Sequence, residues 1–296
     1  MDKFLIVTAD DFGLHEAINA AVEKASAAGV LTSASLMVGA PATPDAVRRA
    51  RAIPGLRVGL HIVLADGWSV LPHRQIPALV DQEGRFPDRM FRQALRFFAL
   101  RAVRRQLEAE IRAQFSAFAA TGLLLDHVNA HKHFHLHPTV LGMILRIGRD
   151  YGLAAMRLPR EPRGVTAAHH SPGAGLGALL LAPWLARMQR RLQALGIACN
   201  DQVFGIAASG SLDEEVLLRI LARLPPGATE IYLHPALHTG APITPSMQHY
   251  RHCDELAALL SSRVRAAIAA SGARCGGYRD LLQARARRQL AEGVAP

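Results

Sequence analysis

Phe4-Leu5-Ile6-Val7-Thr8-Ala9-Asp10-Asp11-Phe12-Gly13 sets the pattern for the whole chain. Phe4–Ala9 is a short apolar, β-prone run that reads as a buried strand, and it leads straight into two carboxylates and a turn glycine. Glu16–Ala28 then has the spacing of an amphipathic helix. The same strand, turn and helix recur outward along the chain. Ser33–Val38, Leu56–Leu64, Leu123–Ala130, Ala155–Leu158, Gln202–Ile206, Glu230–Leu233 and Gly277–Tyr278 read as further strands. Pro44–Ile53, the long basic stretch Met90–Thr121 and a segment opened by Pro138, a residue suited to a first helical turn, read as helices. A Gly/Pro-punctuated loop runs to about Pro87. Such alternation implies a parallel sheet covered by helices. Seven or eight units predict an α/β fold: a single TIM-like (β/α) barrel of seven or eight parallel strands over residues 1–296, with a loop and helix insertion around residues 163–200. No internal repeat or low-complexity segment interrupts it.

The composition bounds the class. With 296 residues, half of them apolar, the chain can bury a substantial core, as one barrel of about 250 residues or as two smaller domains. Cys199, Cys253 and Cys275 are few, odd in number and without CxxC spacing, which argues against a disulfide framework and suits a reducing compartment. The N-terminus lacks the basic region, longer apolar run and small-residue cleavage site of a secretory signal. A cytoplasmic location is expected. The net charge of +10 and pI near 10.5 come mostly from arginines, clustered at Arg101–Arg112, Arg187–Arg191 and Arg285–Arg288. These are either solvated helix faces or an attraction to a polyanion. No helix-turn-helix, zinc-finger or RNP-like pattern supports nucleic acid. An anionic membrane surface is the better polyanionic partner.

Chemistry-bearing residues gather at the C-terminal ends of the expected strands, where parallel barrels keep their active sites. Asp10 and Asp11 are adjacent, and neighbours on a strand point to opposite faces, so one can ligate a metal while the other serves as a base. A helix cap and turn would explain the pair structurally. Gly59-Leu60-His61 ends another strand, where a lone histidine is more often a hydrogen-bonded core residue than a ligand. The strongest signal is Asp126-His127-Val128-Asn129-Ala130-His131-Lys132-His133-Phe134-His135-Leu136-His137-Pro138. With a period of two, His127, Asn129, His131 and His133 share a face as long as the strand continues, with Leu123 and Leu125 further back. Burying several imidazoles is costly unless each finds a partner, and metal binding relieves that cost. Adventitious binding by a surface tract is the alternative. Two weaker elements complete the set. Ile231-Tyr232-Leu233-His234-Pro235 ends in His234, and Arg157 closes Ala155–Leu158, where its guanidinium can orient a carboxylate.

With these residues in hand, the chain resembles the YdjC-like carbohydrate deacetylase family. The matching pieces are TADDFG at Thr8–Gly13, GLH at Gly59–His61, the HxxxHxHxH run from His127, the HP at His234–Pro235 and GGYRD near Tyr278. They occur in the family's order over nearly the whole chain. Within the family, the sequence resembles the hopanoid-biosynthesis branch labelled HpnK. The resemblance implies a TIM-barrel-like fold and hydrolysis of an N-acetyl group from an amino sugar, a lipid-linked one in the hopanoid branch. It also implies one divalent metal ion held by Asp11, His61 and His131; the ligand types themselves suit Zn²⁺ and also Fe(II), or less naturally Mg²⁺, and leave its identity open. Asp10 would be the general base and His234 the general acid. The family run often reads Asp-Ser or Asp-Thr before its histidine, whereas Asn129-Ala130 stands here. That departure leaves His133 and His135 as candidates for contact with substrate.

The chemistry agrees. Amide hydrolysis needs an activated water, a polarised carbonyl and a proton for the departing amine, and two histidines with one carboxylate match catalytic zinc sites. Two rival classes compete with it. Phosphoester cleavage on the same barrel would call for a Gly-rich phosphate loop, and none is found. A basic membrane-surface protein with a vestigial metal cluster draws on Gly175–Leu192, which combines an apolar block, Trp184 and a basic end. That segment is too short, and too interrupted by Pro183, to span a bilayer. A core-facing barrel helix explains it as well. Oligomeric state is left open.

Overall fold

The computed structural model describes residues 2–162 and 174–291. Its strands are β1 (Lys3–Phe12), β2 (Ser33–Leu36), β3 (Arg57–Ile62), β4 (Gly67–Trp68), β5 (Arg85–Phe86), β6 (Val128–Ala130), β7 (Gln202–Phe204), β8 (Gly227–Leu233) and β9 (Arg274–Cys275). Its helices are α1 (Glu16–Ala28), α2 (Thr43–Ala52), α3 (Met90–Ala99), α4 (Arg101–Ala120), α5 (Pro138–Arg149), α6 (Ala174–Ala194), α7 (Glu214–Ala222), α8 (His252–Leu260), α9 (Ser262–Ser271) and α10 (Tyr278–Ala291). The main sheet is parallel and ordered β6-β3-β2-β1-β8-β7, with β9 joining β1 beside Phe4 and Leu5. A separate antiparallel pair, β4 and β5, lies off this sheet.

The expected regular, closed barrel gives way to a curled parallel half-barrel. Between its edges β6 and β7, the run Ala155–Leu158 makes only isolated parallel bridges, Val128 to Met156 and Ala155 to Ala198. Backbone bonds from Val128 N–H to Ala155, from Arg157 N–H to Val128 and from Met156 N–H to Ala198 hold that run in place without extending into a ladder. Three other expectations shift. Met90–Thr121 is two helices, broken at Leu100 with φ −106° and ψ 111°. The buried positions change phase there, from Gln93 and Phe97 to Val103 and Leu107. Leu123–Leu125 stay outside the sheet and Leu124 is exposed, so they do not extend the inner face behind His127. The last strand falls at Arg274–Cys275, and Tyr278 opens α10 instead. Residues 163–173 of the expected insertion lie outside the described residues; its described part is α6 and the following turn.

Strand alternation sorts the side chains of β1. Leu5, Val7 and Ala9 pack outward into the main core beneath the helices. Phe4 and Ile6 face a small inner cluster closed by Tyr278 and Leu281 of α10. Thr8 and Asp10, next on that inner face, enter a polar network. β8 repeats the sorting, with Ile231 and Leu233 outward and Ala228, Glu230, Tyr232 and His234 inward. The barrel interior thus grades from apolar at its base to ionisable at the C-terminal ends of the strands. Gly59 belongs to this interior, since a Cβ there would lie 2.4 Å from the His127 ring.

Candidate metal centre

Plain alternation would turn Asp11 outward. Instead, β1 gains one residue relative to β2 between Ala9 and Phe12, and Asp11 adopts φ 62°. A bulge with a left-handed residue re-aims a side chain, at a cost of about 1–3 kcal/mol that surrounding structure must offset. Both carboxylates therefore enter one cluster, with different partners.

Asp11 meets the imidazoles. Its Oδ1 lies 3.3 Å from His61 Nε2 and 3.0 Å from His131 Nδ1, and its Oδ2 lies 3.9 Å from His234 Nε2. Neither oxygen has a partner in hydrogen-bond geometry, although Asp11 is wholly buried. Ligand atoms of Asp11, His61 and His131 lie within 4.8 Å of one another. A buried carboxylate with unbonded oxygens facing two imidazole nitrogens is the donor set a divalent cation satisfies. The residues present therefore fit a metal ion. Burial pushes the Asp11 pKa up, but His131, His61 and His234 outweigh it and hold the carboxyl well below the usual range.

Asp10 meets donors. Arg157 Nη1 donates to its Oδ2 at 2.5 Å, while Arg157 Nη2 at 2.9 Å and Asn129 Nδ2 at 3.2 Å donate to its Oδ1. Burial opposes ionisation here too, but Arg157 wins and the Asp10 pKa falls. Arg157 also donates to Glu230 at 2.8 and 2.9 Å, and its guanidinium lies 4.4 Å from the centroid of Tyr232. Thr8 and Tyr278 complete the bonding of Glu230, both at 2.7 Å. This network locks Arg157 and, through it, Asp10.

Asn129 joins the halves of the site. Its Nδ2 donates to Asp10 and, at 2.9 Å, to Ser35 Oγ, so its Oδ1 is the acceptor facing His61 Nδ1 at 2.6 Å. His61 then carries its proton on Nδ1 and turns the Nε2 lone pair toward Asp11. His127, expected on the same face, instead bonds Asp126 and Ser35 at 3.0 Å each, beneath the site. Alternation stops at Ala130. His131–Leu136 forms a 3₁₀ turn with Lys132 and His133 at φ 50° and 55°. This turn, not strand periodicity, aims His131.

His133 and His135 follow on that turn. His133 Nε2 lies 3.1 Å from Tyr232 OH, and its Nδ1 and both nitrogens of His135 have no hydrogen-bond partner among the described residues. Burial, then Arg157, brings the His133 pKa down to about 3. The backbone of His234 is clamped, its N–H donating to Glu255 at 2.5 Å and its carbonyl 2.5 Å from His252 Nδ1. Burial lowers the His234 pKa, partly offset by Asp11 and Asp10. A cavity of about 430 Å³, lined by Asp10, His61, His131, Tyr232 and His234, opens to the surface beside Lys132 and Asp88.

Residues 4–270 match the family described as YdjC-like protein. The chain belongs to the YdjC-like family. A carbohydrate deacetylase of Brevibacillus brevis is 32% identical over 264 residues, covering 88% of this chain and 92% of that one. A chitooligosaccharide deacetylase of Serratia marcescens is 30% identical over 286 residues, covering 95% of this chain and 100% of that one. The crystal structure of an Enterococcus faecalis V583 protein, provisionally assigned to cellobiose-phosphate cleavage, superposes with TM-score 0.73 at 23% identity. It covers 95% of this chain and 99% of that chain, and it shares the fold.

The sequence alone gives this YdjC-like chain no role for Glu230, Tyr232 or Glu255, and places Asn129 on the histidine face and off the family pattern without a role. Glu230, Tyr232 and His234 stand at alternate positions of one strand, so period two could have drawn the first two inward with His234. Glu255 sits on an ordinary helix, and nothing local marks it.

Proposed function

We propose that this chain is a metal-dependent N-deacetylase that removes the acetyl group from an N-acetylglucosamine-type sugar. The observation that carries the reading is Asp11, buried with both oxygens unbonded against His61 and His131, which themselves line an open cavity. A divalent ion held by these residues supplies Lewis acidity and a nucleophile at neutral pH. Imidazole donors suit zinc or ferrous iron better than magnesium. Asp10 is the general base. Arg157 and Asn129 keep it ionised and aimed, at the cost of making it a weak base, so it takes a proton only as the new C–O bond forms. His234, held neutral by burial, gains a proton before passing one to the departing amine. Its unbonded Nδ1 and its Nε2 near Asp11 leave both nitrogens free for that exchange. His133, which lines the cavity with an unbonded Nδ1, contacts the sugar; His135, expected to do the same, is wholly buried off the cavity lining and packs behind His133.

The resemblance to the hopanoid-biosynthesis branch extends the reading to a lipid-linked amino sugar, met at the inner face of the cytoplasmic membrane. Among the described residues no helix is long and apolar enough to cross a membrane, so the contact would be peripheral. The full-length match to the Serratia chitooligosaccharide deacetylase favours a second reading, a soluble chito-oligosaccharide. Acetate release from an N-acetylglucosamine-bearing polycyclic lipid in detergent and from chitobiose decides between them. Preference for the lipid supports the first reading, preference for chitobiose installs the second, and no acetate from either overturns deacetylation.

A further inference from the structure

Away from the site, the least satisfied surface is α3 with the start of α4. Between Arg89 and Leu107 the chain carries Arg89, Arg92, Arg96, Arg101, Arg104 and Arg105 and no carboxylate. α3 buries Gln93 and Phe97 but leaves Leu95 54% and Phe98 53% exposed, one turn apart on one face, with Met90 and Leu100 exposed at its ends. A single exposed leucine needs no explanation. Here one short helix and its caps gather four of the nine large exposed apolar side chains among the described residues.

The neighbouring charge indicates what covers them. Several surface arginines elsewhere are paired, Arg49 with Asp45, Arg57 with Asp280, Arg146 with Glu108, Arg251 with Asp254 and Arg263 with Glu215, while others such as Arg74, Arg187, Arg191 and Arg223 make no ion pair among the described residues; none of those unpaired groups borders a comparable row of exposed apolar side chains. The arginines from Arg89 to Arg105 have no carboxylate partner among the described residues. Unpaired guanidinium groups around an apolar stripe complement a bilayer surface bearing anionic lipids, whose phosphates take the charge while the acyl boundary takes the apolar groups. A nucleic acid offers phosphates but no place for Leu95 and Phe98. The location fits as well. Asp88, just before α3, accepts Lys132 Nζ at 2.6 Å on the cavity rim, and Phe98 packs on His137 with ring centroids 4.0 Å apart.

We propose that α3 and the first turn of α4 form an interfacial element that seats the cavity mouth on an anionic phospholipid bilayer. The apolar block at Leu179–Trp184 is less suited to that task. Trp184 Nε1 donates to the Leu136 carbonyl at 2.9 Å and its ring packs on the core, while Leu185, Met188 and Leu192 are buried. The docking element names the partner that the lipid-linked reading of the substrate requires. Its test uses vesicles without substrate, so either reading can fail alone.

The test is flotation of the full chain with phosphatidylcholine vesicles, with and without phosphatidylglycerol. Wild type should float only with the anionic vesicles, and less as salt rises. Leu95→Ser with Phe98→Ser should weaken binding by at least about tenfold, and Arg89→Gln with Arg92→Gln should flatten the salt dependence. Leu290→Ser on α10, a still more exposed leucine outside the element, should change nothing. Circular dichroism and an unchanged urea unfolding midpoint establish that each variant is folded. As a second readout, Phe98→Trp should add fluorescence that shifts to the blue on anionic vesicles. Undiminished binding by the double serine variant, or no binding at low salt, overturns the proposal. So does a wild-type dimer that the double variant dissociates, which would assign the face to a second copy of the chain.

Discussion

His61 Nδ1 lies 2.6 Å from Asn129 Oδ1, and this contact decides which nitrogen His61 presents to Asp11. Asn129→Leu keeps the volume but leaves that nitrogen without an acceptor, freeing both tautomer and ring orientation. Metal affinity should fall by about 10–100-fold, as when comparable outer hydrogen bonds to a ligating histidine are removed. Competition against a chromophoric chelator measures it. Unchanged affinity would reduce Asn129 to a packing residue.

Asp10→Asn separates the two carboxylates. The amide cannot take a proton from water, while Asp11, His61 and His131 are untouched. Metal should still bind, and kcat should drop by about 10²–10⁴-fold. Near-normal turnover would move the base elsewhere.

Arg157 is the wholly buried cation between Asp10 and Glu230. Arg157→Met removes the charge and strands both carboxylates, and breaking a buried ion pair from one side costs about 3–5 kcal/mol. Urea unfolding should show a loss of that order. A loss under about 1 kcal/mol, the range of an exposed pair, would show that water reaches the network.

Glu255 gives the chain a pH signature. It accepts the N–H groups of His234 and Leu212, and burial pushes its pKa from 4.5 up to about 7. The folded pKa lies above the unfolded one, so the folded chain binds more protons between these values. Stability therefore falls as pH rises through that window, by about 3 kcal/mol. Glu255→Gln carries its own pH-independent cost from a mismatched N–H, but its unfolding free energy should lack this slope. Equal slopes in both proteins would contradict the assignment.

Much of this was legible in the sequence, because strand alternation and strand ends are local properties. Phe4–Ala9, the helix Glu16–Ala28 and the rim positions of Asp10, His61 and His234 follow from spacing alone. What escaped was set by backbone departures and distant partners. An extra residue at Asp11 with φ 62° reverses the face that a period of two assigns. The positive φ values of Lys132 and His133 end the strand that would have carried His127 and His131 on one face. The partners of Arg157 are Asp10 and Glu230, 147 and 73 residues away, and no local pattern joins them. The expected closed barrel exceeds the observed sheet because Ala155–Leu158 has a strand's composition but makes only isolated bridges to its neighbours.

Acetate release from chitobiose or a lipid-linked N-acetylglucosamine, measured before and after chelation, tests the central claim most directly. Wild type stripped of metal should lose its activity and recover it on titration with one equivalent of Zn²⁺ or Fe²⁺. His131→Ala should fold, fail to retain the ion and stay inactive under the same titration. Full turnover by stripped wild type, or by a folded His131→Ala chain without bound metal, would contradict a reaction centred on Asp11, His61 and His131.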